Sequence, residues 1–149
     1  MIDTTLLKDL ESNVRSALKE DIGDGDISAS LIHPDERATA QVICRETAVI
    51  CGQPWVNEVF KQIDPSIEID WEVSEGNPCQ SNDLIFKAYG SAKNILSAER
   101  SALNFLQILS GTATIARHYA DLVQHTAVKI LDTRKTIPGL RLAQKYAVN

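Results

Sequence analysis

Val128-Lys129-Ile130-Leu131-Asp132-Thr133-Arg134-Lys135-Thr136-Ile137-Pro138-Gly139-Leu140-Arg141 reads as a strand, a cationic loop and the opening of a helix. Its first four residues are mostly apolar and include two β-branched side chains, a pattern suited to a parallel strand buried on both faces. Thr136 fits an N-cap. Pro138 fits the first helical turn, where its missing N–H would be unpaired anyway. Strand, loop and helix in that order predict a parallel α/β unit, and in such folds the loops after the strands' C-terminal ends carry the site. A helix N-terminus adds free N–H groups and partial positive charge. Arg134 can grip a carboxylate or phosphate with two parallel hydrogen bonds, while Lys135 acts as a mobile point charge. From these residues alone two readings stay open, a solvated basic surface and a site for an anion.

The surrounding charge bears on that choice. Lys129, Arg134, Lys135, Arg141 and Lys145 accompany a single acid, Asp132, although the 149-residue chain carries a net charge of −5. A positive segment in an acidic protein suggests focused attraction for a small anion and argues against a nucleic-acid surface, which needs a broad basic face. Arg141 and Lys145 lie four apart on one helical face, where like charges repel by roughly 0.2–0.5 kcal/mol unless something negative sits beside them.

One ordinary domain or two small ones fit this length, and 44% hydrophobic residues suffice for a real core. No stretch approaches the run of about 20 apolar residues needed to span a membrane. Met1-Ile2-Asp3-Thr4 lacks the basic and apolar regions of a signal peptide, so a cytoplasmic location is expected. Cys44, Cys51 and Cys79 are odd in number and lack paired zinc-site spacing, which predicts reduced, mostly buried thiols.

Working back along the chain, Leu6, Leu10, Val14 and Leu18 recur every four residues and predict an amphipathic helix from about Thr4 to Lys19. Asp21-Ile22-Gly23-Asp24-Gly25-Asp26 breaks that pattern. Its acids do not fall at the 1, 3, 5 positions of a calcium loop and no Glu follows at position 12, so it reads as a turn. Strand character marks Thr39 to Gly52, Ile67 to Val73 and Asp83 to Tyr89. Between the first two, Val56, Val59, Phe60 and Ile63 predict a helix over Pro54 to Ile63. Gly76-Asn77-Pro78 and Gly90-Ser91 read as turns, giving a small α+β sheet layer.

A long helix is predicted from near Ser97 to about His118 or beyond, with Leu103, Leu106, Leu109, Ala113 and Ala116 as its apolar stripe and Gly111 interrupting it. Arg100 then falls in the first turn, where the helix dipole favours acids, and no acid lies three or four residues away. A surface arginine bonded to a loop and a functional cation are both open. His118 and His125, seven apart with no carboxylate or cysteine at ligand spacing, read as ordinary histidines.

Four blocks in order then carry a resemblance. Ala98-Glu99-Arg100-Ser101-Ala102-Leu103-Asn104, Ser110-Gly111-Thr112-Ala113-Thr114, Asp132 to Arg141 and Gln144-Lys145-Tyr146-Ala147-Val148 closely resemble the quinolinate phosphoribosyltransferases. The acidic turn from Glu20 to Ser28 is similar to that family's N-terminal signature. The resemblance implies an α+β N-terminal open sandwich over residues 1–111. Residues 112–149 would be the start of an α/β barrel of the type II phosphoribosyltransferase kind, truncated after its first strand and helix.

The implied reaction moves a phosphoribosyl group from phosphoribosyl pyrophosphate to the ring nitrogen of quinolinate. Pyrophosphate and CO2 leave and nicotinate mononucleotide forms, a step of NAD biosynthesis. By the same resemblance Thr133, Arg134 and Lys135 would contact quinolinate's carboxylates and the phosphoribosyl moiety. Arg100 would reach into the site of a neighbouring subunit in a homodimer or higher homo-oligomer with shared active sites. Mg2+ would accompany phosphoribosyl pyrophosphate, with its ligands outside this segment.

That family's chains are about twice as long. Beyond Asn149 the resemblance leads one to expect a glycine-rich turn, Asn-His-Arg, a further lysine and acids near the ribose and magnesium. A lone βα unit cannot close a barrel or bury both faces of its strand, so these 149 residues by themselves are expected to be inactive. Activity would belong to the complete enzyme. The alternatives are a non-catalytic binding or dimerisation module and a related phosphoribosyltransferase with another acceptor.

Overall fold

In the computed structural model, which describes residues 4–23 and 25–149, the predicted helices and strands assemble mainly around one core. Asp24 of the acidic turn and Met1-Ile2-Asp3 of the signal-peptide reading lie outside the described residues. The order is α1 (Thr4–Ile22), α2 (Ile27–Ser30), β1 (Arg37–Ile43), β2 (Ala48–Val49), α3 (Gln53–Ile63), β3 (Glu68–Trp71), β4 (Pro78–Cys79), β5 (Leu84–Ser91), α4 (Ala92–Val123) and α5 (Arg141–Val148). Among these, no helix is long and apolar enough to cross a membrane.

β5 is the centre of an antiparallel three-stranded sheet in the order β1-β5-β3, pairing Arg37 with Ser91 on one side and Trp71 with Phe86 on the other. Phe86 and Ala88 are buried, two apart as the strand period requires. The core joins them to Trp55, Val56, Val59 and Phe60 of α3, to Ala98, Ala102, Phe105, Leu106 and Leu109 of α4, and to Leu10, Val14 and Leu18 of α1. The four-residue apolar spacing read in the first helix is thus its buried stripe.

Thr39 to Gly52 is two strands, not one. The register with β5 shifts between Val42 and Ile43, and the chain turns through Cys44 before β2 pairs with β4 in a separate ribbon. That ribbon has a helix for a neighbour. Thr114 Oγ1 accepts from the Val49 N–H at 2.8 Å, and Ser110 Oγ accepts from the Cys51 N–H while donating to the Cys51 carbonyl. Ser110 and Thr114, one turn apart on α4, therefore satisfy backbone groups that would otherwise be buried unpaired.

Gly90-Ser91 is not a turn. Both residues end β5, and α4 starts directly at Ala92, five residues before the expected Ser97, with the Ser91 hydroxyl accepting from the Asn94 N–H. Glycine serves close approach there: a Cβ on Gly90 would lie 2.7 Å from Ile67 Cγ1. α4 also runs unbroken through Gly111, across the boundary expected between residues 111 and 112.

The stretch Val128 to Leu131 forms no strand, and Val128, Ile130 and Leu131 are 61%, 53% and 80% exposed. A parallel strand needs hydrogen-bonded neighbours, and among the described residues none runs alongside it. The helix after the loop begins at Arg141, so neither Thr136 nor Pro138 caps or opens it. A turn from Ile137 to Leu140, with Gly139 at φ 82°, comes first.

All three cysteines are free and buried. Burial, reinforced by Cys44, pushes the Cys79 thiol up to about 11, and burial followed by Glu75 raises Cys51. At pH 8 a thiol with that pKa is about one part in a thousand thiolate, the reactive form. We therefore expect iodoacetamide to leave Cys51 and Cys79 unmodified in the native protein and to label both after denaturation, as read by peptide mass. Rapid native labelling of Cys79 would contradict this burial.

Candidate anion site

The loop from Asp132 to Leu140 is organised by its own short hydrogen bonds and by α5. Asp132 Oδ1 accepts from the Thr133 N–H at 2.6 Å, Thr133 Oγ1 from the Lys135 N–H at 3.2 Å, and the Arg134 carbonyl from the Thr136 N–H at 3.1 Å. Such side-chain-to-backbone turns are the local chemistry Asp and Thr favour. From α5, Gln144 Oε1 accepts from the Ile137 N–H at 2.7 Å, and Arg141 Nε donates to Thr136 Oγ1 at 3.4 Å.

Lys145 adds a charged tie. Its ammonium donates to Asp132 Oδ2 and, at 2.6 Å, to the Thr133 carbonyl. The hydrogen bond from Lys145 leads the effects that hold the Asp132 carboxyl below its ordinary value. This is the negative neighbour that the Arg141–Lys145 spacing called for. The outcome is an exposed loop whose single acid is already engaged, while the side chains of Arg134 and Lys135 make no ion pair among the described residues.

Arg100 is placed differently from expectation. It lies in the third turn of α4 and has an acid partner, Asp21 at the end of α1, with Nη1 to Oδ1 at 2.7 Å. The two are 79 positions apart in sequence, beyond the reach of any helical-spacing rule. Asp21 first, then Asp26 and Glu99, raise the guanidinium pKa. The Arg100 side chain remains 70% exposed, so the pair orients it without burying it. Among the described residues no hydrogen bond or ion pair joins Arg100 to the cationic loop. A cavity of about 600 Å3 lies between Asp21 and Ser101, neighbours of Arg100, and Pro138, Gly139 and Leu140 at the end of the loop, with neither Arg100 nor residues 133–135 in its lining.

A second cavity, of about 810 Å3, lies between α4 and α5 and is lined by Val49, Cys51, Glu75, Arg117, Lys145 and Tyr146 among others. Glu75, one of its lining residues, caps a neighbouring helix. Its two carboxylate oxygens accept from the Gly52 and Gln53 N–H groups at 2.8 and 3.0 Å, at the N-terminus of α3. Gly52 has no side chain to cap that helix and takes φ 113°, so a carboxylate from elsewhere does so, aided by the helix dipole. Burial and then Glu75 raise the Tyr146 hydroxyl well above its ordinary range. Tyr146 also packs its ring 5.2 Å from that of Trp55. The roles of Lys145, Asp132 and Glu75 are not among those expected from the sequence. A signal existed for the first two, since Asp132 was the one acid in a run of cations; for Glu75 none did.

Residues 26–110 match the family described as quinolinate phosphoribosyl transferase, N-terminal domain, and residues 112–149 match its C-terminal domain. A nicotinate-nucleotide pyrophosphorylase (carboxylating) of rice chloroplasts is 44% identical over 142 residues, 94% of this chain and 38% of that protein. A probable nicotinate-nucleotide pyrophosphorylase of Bacillus subtilis is 34% identical over 87% of this chain and 45% of its own length. Among solved structures, the nicotinate-nucleotide pyrophosphorylase of Francisella tularensis superposes with a TM-score of 0.91 at 47% identity, covering 95% of this chain and 50% of the other. NadC of Streptococcus pyogenes gives a TM-score of 0.91 at 32% identity, covering 99% and 53%. The chain thus spans about half, or somewhat less, of the relatives it matches.

Proposed function

The chain belongs to the quinolinate phosphoribosyltransferase family, and on that premise we propose that it serves phosphoribosyl transfer to quinolinate. The products are nicotinate mononucleotide, pyrophosphate and CO2. The observation that carries the reading is the loop at Thr133-Arg134-Lys135: two adjacent exposed cations with no acid partner among the described residues, held by a carboxylate–ammonium tie beside them, in an acidic protein. Both substrates are polyanions.

In this reading Arg134 takes a carboxylate of quinolinate through its planar fork, and Lys135 neutralises negative charge on the phosphoribosyl donor. Thr133 Oγ, which already fixes the Lys135 amide, sets the direction of that pair. The rate comes from holding the ring nitrogen against the ribose carbon while positive charge grows there and the pyrophosphate leaves. Arg100, aimed by Asp21 and largely exposed, serves the site of a second subunit, which makes the assembly a homodimer or higher. The Mg2+ expected with the donor finds no cluster of three His, Cys, Asp or Glu side chains among the described residues, and no step here depends on it. A reducing compartment, the cytoplasm, suits three free thiols.

A non-catalytic binding or dimerisation module is favoured by one observation, the exposed apolar run of Ile115, Tyr119 and Leu122 on α4 with Val128, Ile130 and Leu131 after it. Joining residues 1–149 to the C-terminal half of a relative separates the readings. Release of pyrophosphate with quinolinate but not nicotinate is the expected result. A folded joined chain that turns over neither acceptor would support the module, and turnover of nicotinate would change the acceptor.

A further inference from the structure

We propose that Lys145 is a positioning residue for the anion site, a clamp that sets the loop carrying Thr133, Arg134 and Lys135 without itself contacting substrate. The inference rests on the functional reading above only for the identity of the ligand; the clamp itself stands on geometry.

Two acceptors define it. One ammonium group donates to the Asp132 carboxylate and to the Thr133 main-chain carbonyl, tying two consecutive loop residues to α5. The Lys145 side chain is only 32% exposed, and so is that of Asp132, whereas a lysine serving as a ligand would keep its charge free. The clamp is also anchored at its base. Ala143 and Ala147, on either side of Lys145, are 0% and 6% exposed, and Tyr146 packs its ring at a tilt against Trp55, so α5 cannot roll without disturbing the core. Gln144, the preceding residue, holds the far end of the loop at the Ile137 N–H. Adjacent residues of one helix turn therefore grip both ends of the segment that presents Arg134 and Lys135; among the described residues its remaining hydrogen bonds are those within itself and the longer one from Arg141 Nε to Thr136 Oγ1 at 3.4 Å. Asp132 closes the design by occupying Lys145, so that the tie leaves the other two cations unneutralised.

The pH dependence follows in sign. The Asp132 carboxyl is held below its ordinary value, so the clamp is complete above the usual carboxylate range and is lost as pH falls through the lowered value. The other titratable side chains that line the cavity with Lys145 are Arg117 from α4, Cys51 just before α3, Glu75 from the β3–β4 connection and Tyr146 from α5, and among the described residues none of them forms an ion pair with Lys145.

The test uses the 149-residue chain, labelled for NMR, with Lys145→Met and Lys145→Arg variants and far-UV circular dichroism as the control for folding. We expect Lys145→Met to return the Asp132 titration towards the ordinary carboxylate range and to speed exchange of the Thr133 and Lys135 amides. It should also weaken quinolinate binding by roughly tenfold, the scale of one charge-assisted hydrogen bond. Lys145→Arg should restore the low Asp132 titration and most of the affinity, a rescue that a merely space-filling role would not require. Unchanged quinolinate affinity in a folded Lys145→Met chain would overturn the proposal, as would an unmoved Asp132 titration. If the unsubstituted chain binds no quinolinate, the functional reading fails instead, and the Asp132 titration with the loop amides still decides the clamp.

Discussion

Trp55→Ala is expected to lower the stability of the chain by about 3–5 kcal/mol, the cost of removing a large aromatic side chain from a closed core. Trp55 is fully buried on α3, at 0% exposure, and contacts Tyr146 across the junction with α5. For a chain of this size the loss corresponds to a fall of roughly 10 °C or more in Tm. Its indole N–H has no partner among the described residues, so Trp55→Phe should cost clearly less than the alanine change because it also removes a buried unsatisfied donor. The consequence extends beyond stability. Removing the indole takes away the surface on which Tyr146 rests, and with it the seat of the helix whose Lys145 and Gln144 hold the cationic loop. Thermal melts of both variants check the first claim, and exchange of the Lys135 amide checks the second. Equal melting of Trp55→Ala and the unsubstituted chain would contradict the packing described above.

Arg134→Ala, made in residues 1–149 joined to the C-terminal half of a relative, is expected to reduce kcat/KM for nicotinate mononucleotide formation by about 10²–10³-fold. That corresponds to about 2.7–4 kcal/mol, the range for losing one oriented donor from a preorganised site. The side chain is exposed and makes no ion pair among the described residues, so the same change should leave the melting temperature nearly unaltered. Separating the two effects is the point of the variant: a loss of turnover without loss of stability marks a binding cation, whereas neither loss would mark a solvated one. Arg134→Lys should recover only part of the rate, because an ammonium cannot reproduce the planar two-bond grip on a carboxylate.

Much of this was legible in the residues. The spacing of Leu10, Val14 and Leu18 announced the buried stripe of α1, and Val56, Val59 and Phe60 that of α3, because a helix repeats its buried face at a fixed short interval. The family was legible in the blocks around Arg100, Ser110 and Arg134, which carry specific residue types in a fixed order. What stayed hidden was decided by distant partners. Gly90 looked like a turn residue, yet it is a strand residue whose missing Cβ makes room for Ile67. Asp21 and Arg100 meet across 79 positions, and Glu75 caps a helix that begins more than twenty residues before it. The apolar run Val128 to Leu131 has the composition of a buried strand and is exposed instead, because composition states what a segment would bury and a strand exists only beside another.

The same division runs through the candidate site. Arg134 and Lys135 were visible as adjacent cations after a β-type stretch, and the repulsion between Arg141 and Lys145 pointed to a negative neighbour. Which carboxylate that was, and that it would leave Arg134 and Lys135 unneutralised, required the three-dimensional path of the loop over α5.

The central claim, that the Thr133-Arg134-Lys135 loop is a site for quinolinate, is tested most directly by titrating the 15N-labelled 149-residue chain with quinolinate and following every backbone amide. Saturable shifts centred on residues 133–136 are expected, weakened by added salt and abolished in Arg134→Ala. Shifts centred elsewhere, such as in the cavity around Glu75 and Tyr146, or binding that survives Arg134→Ala unchanged, would contradict it.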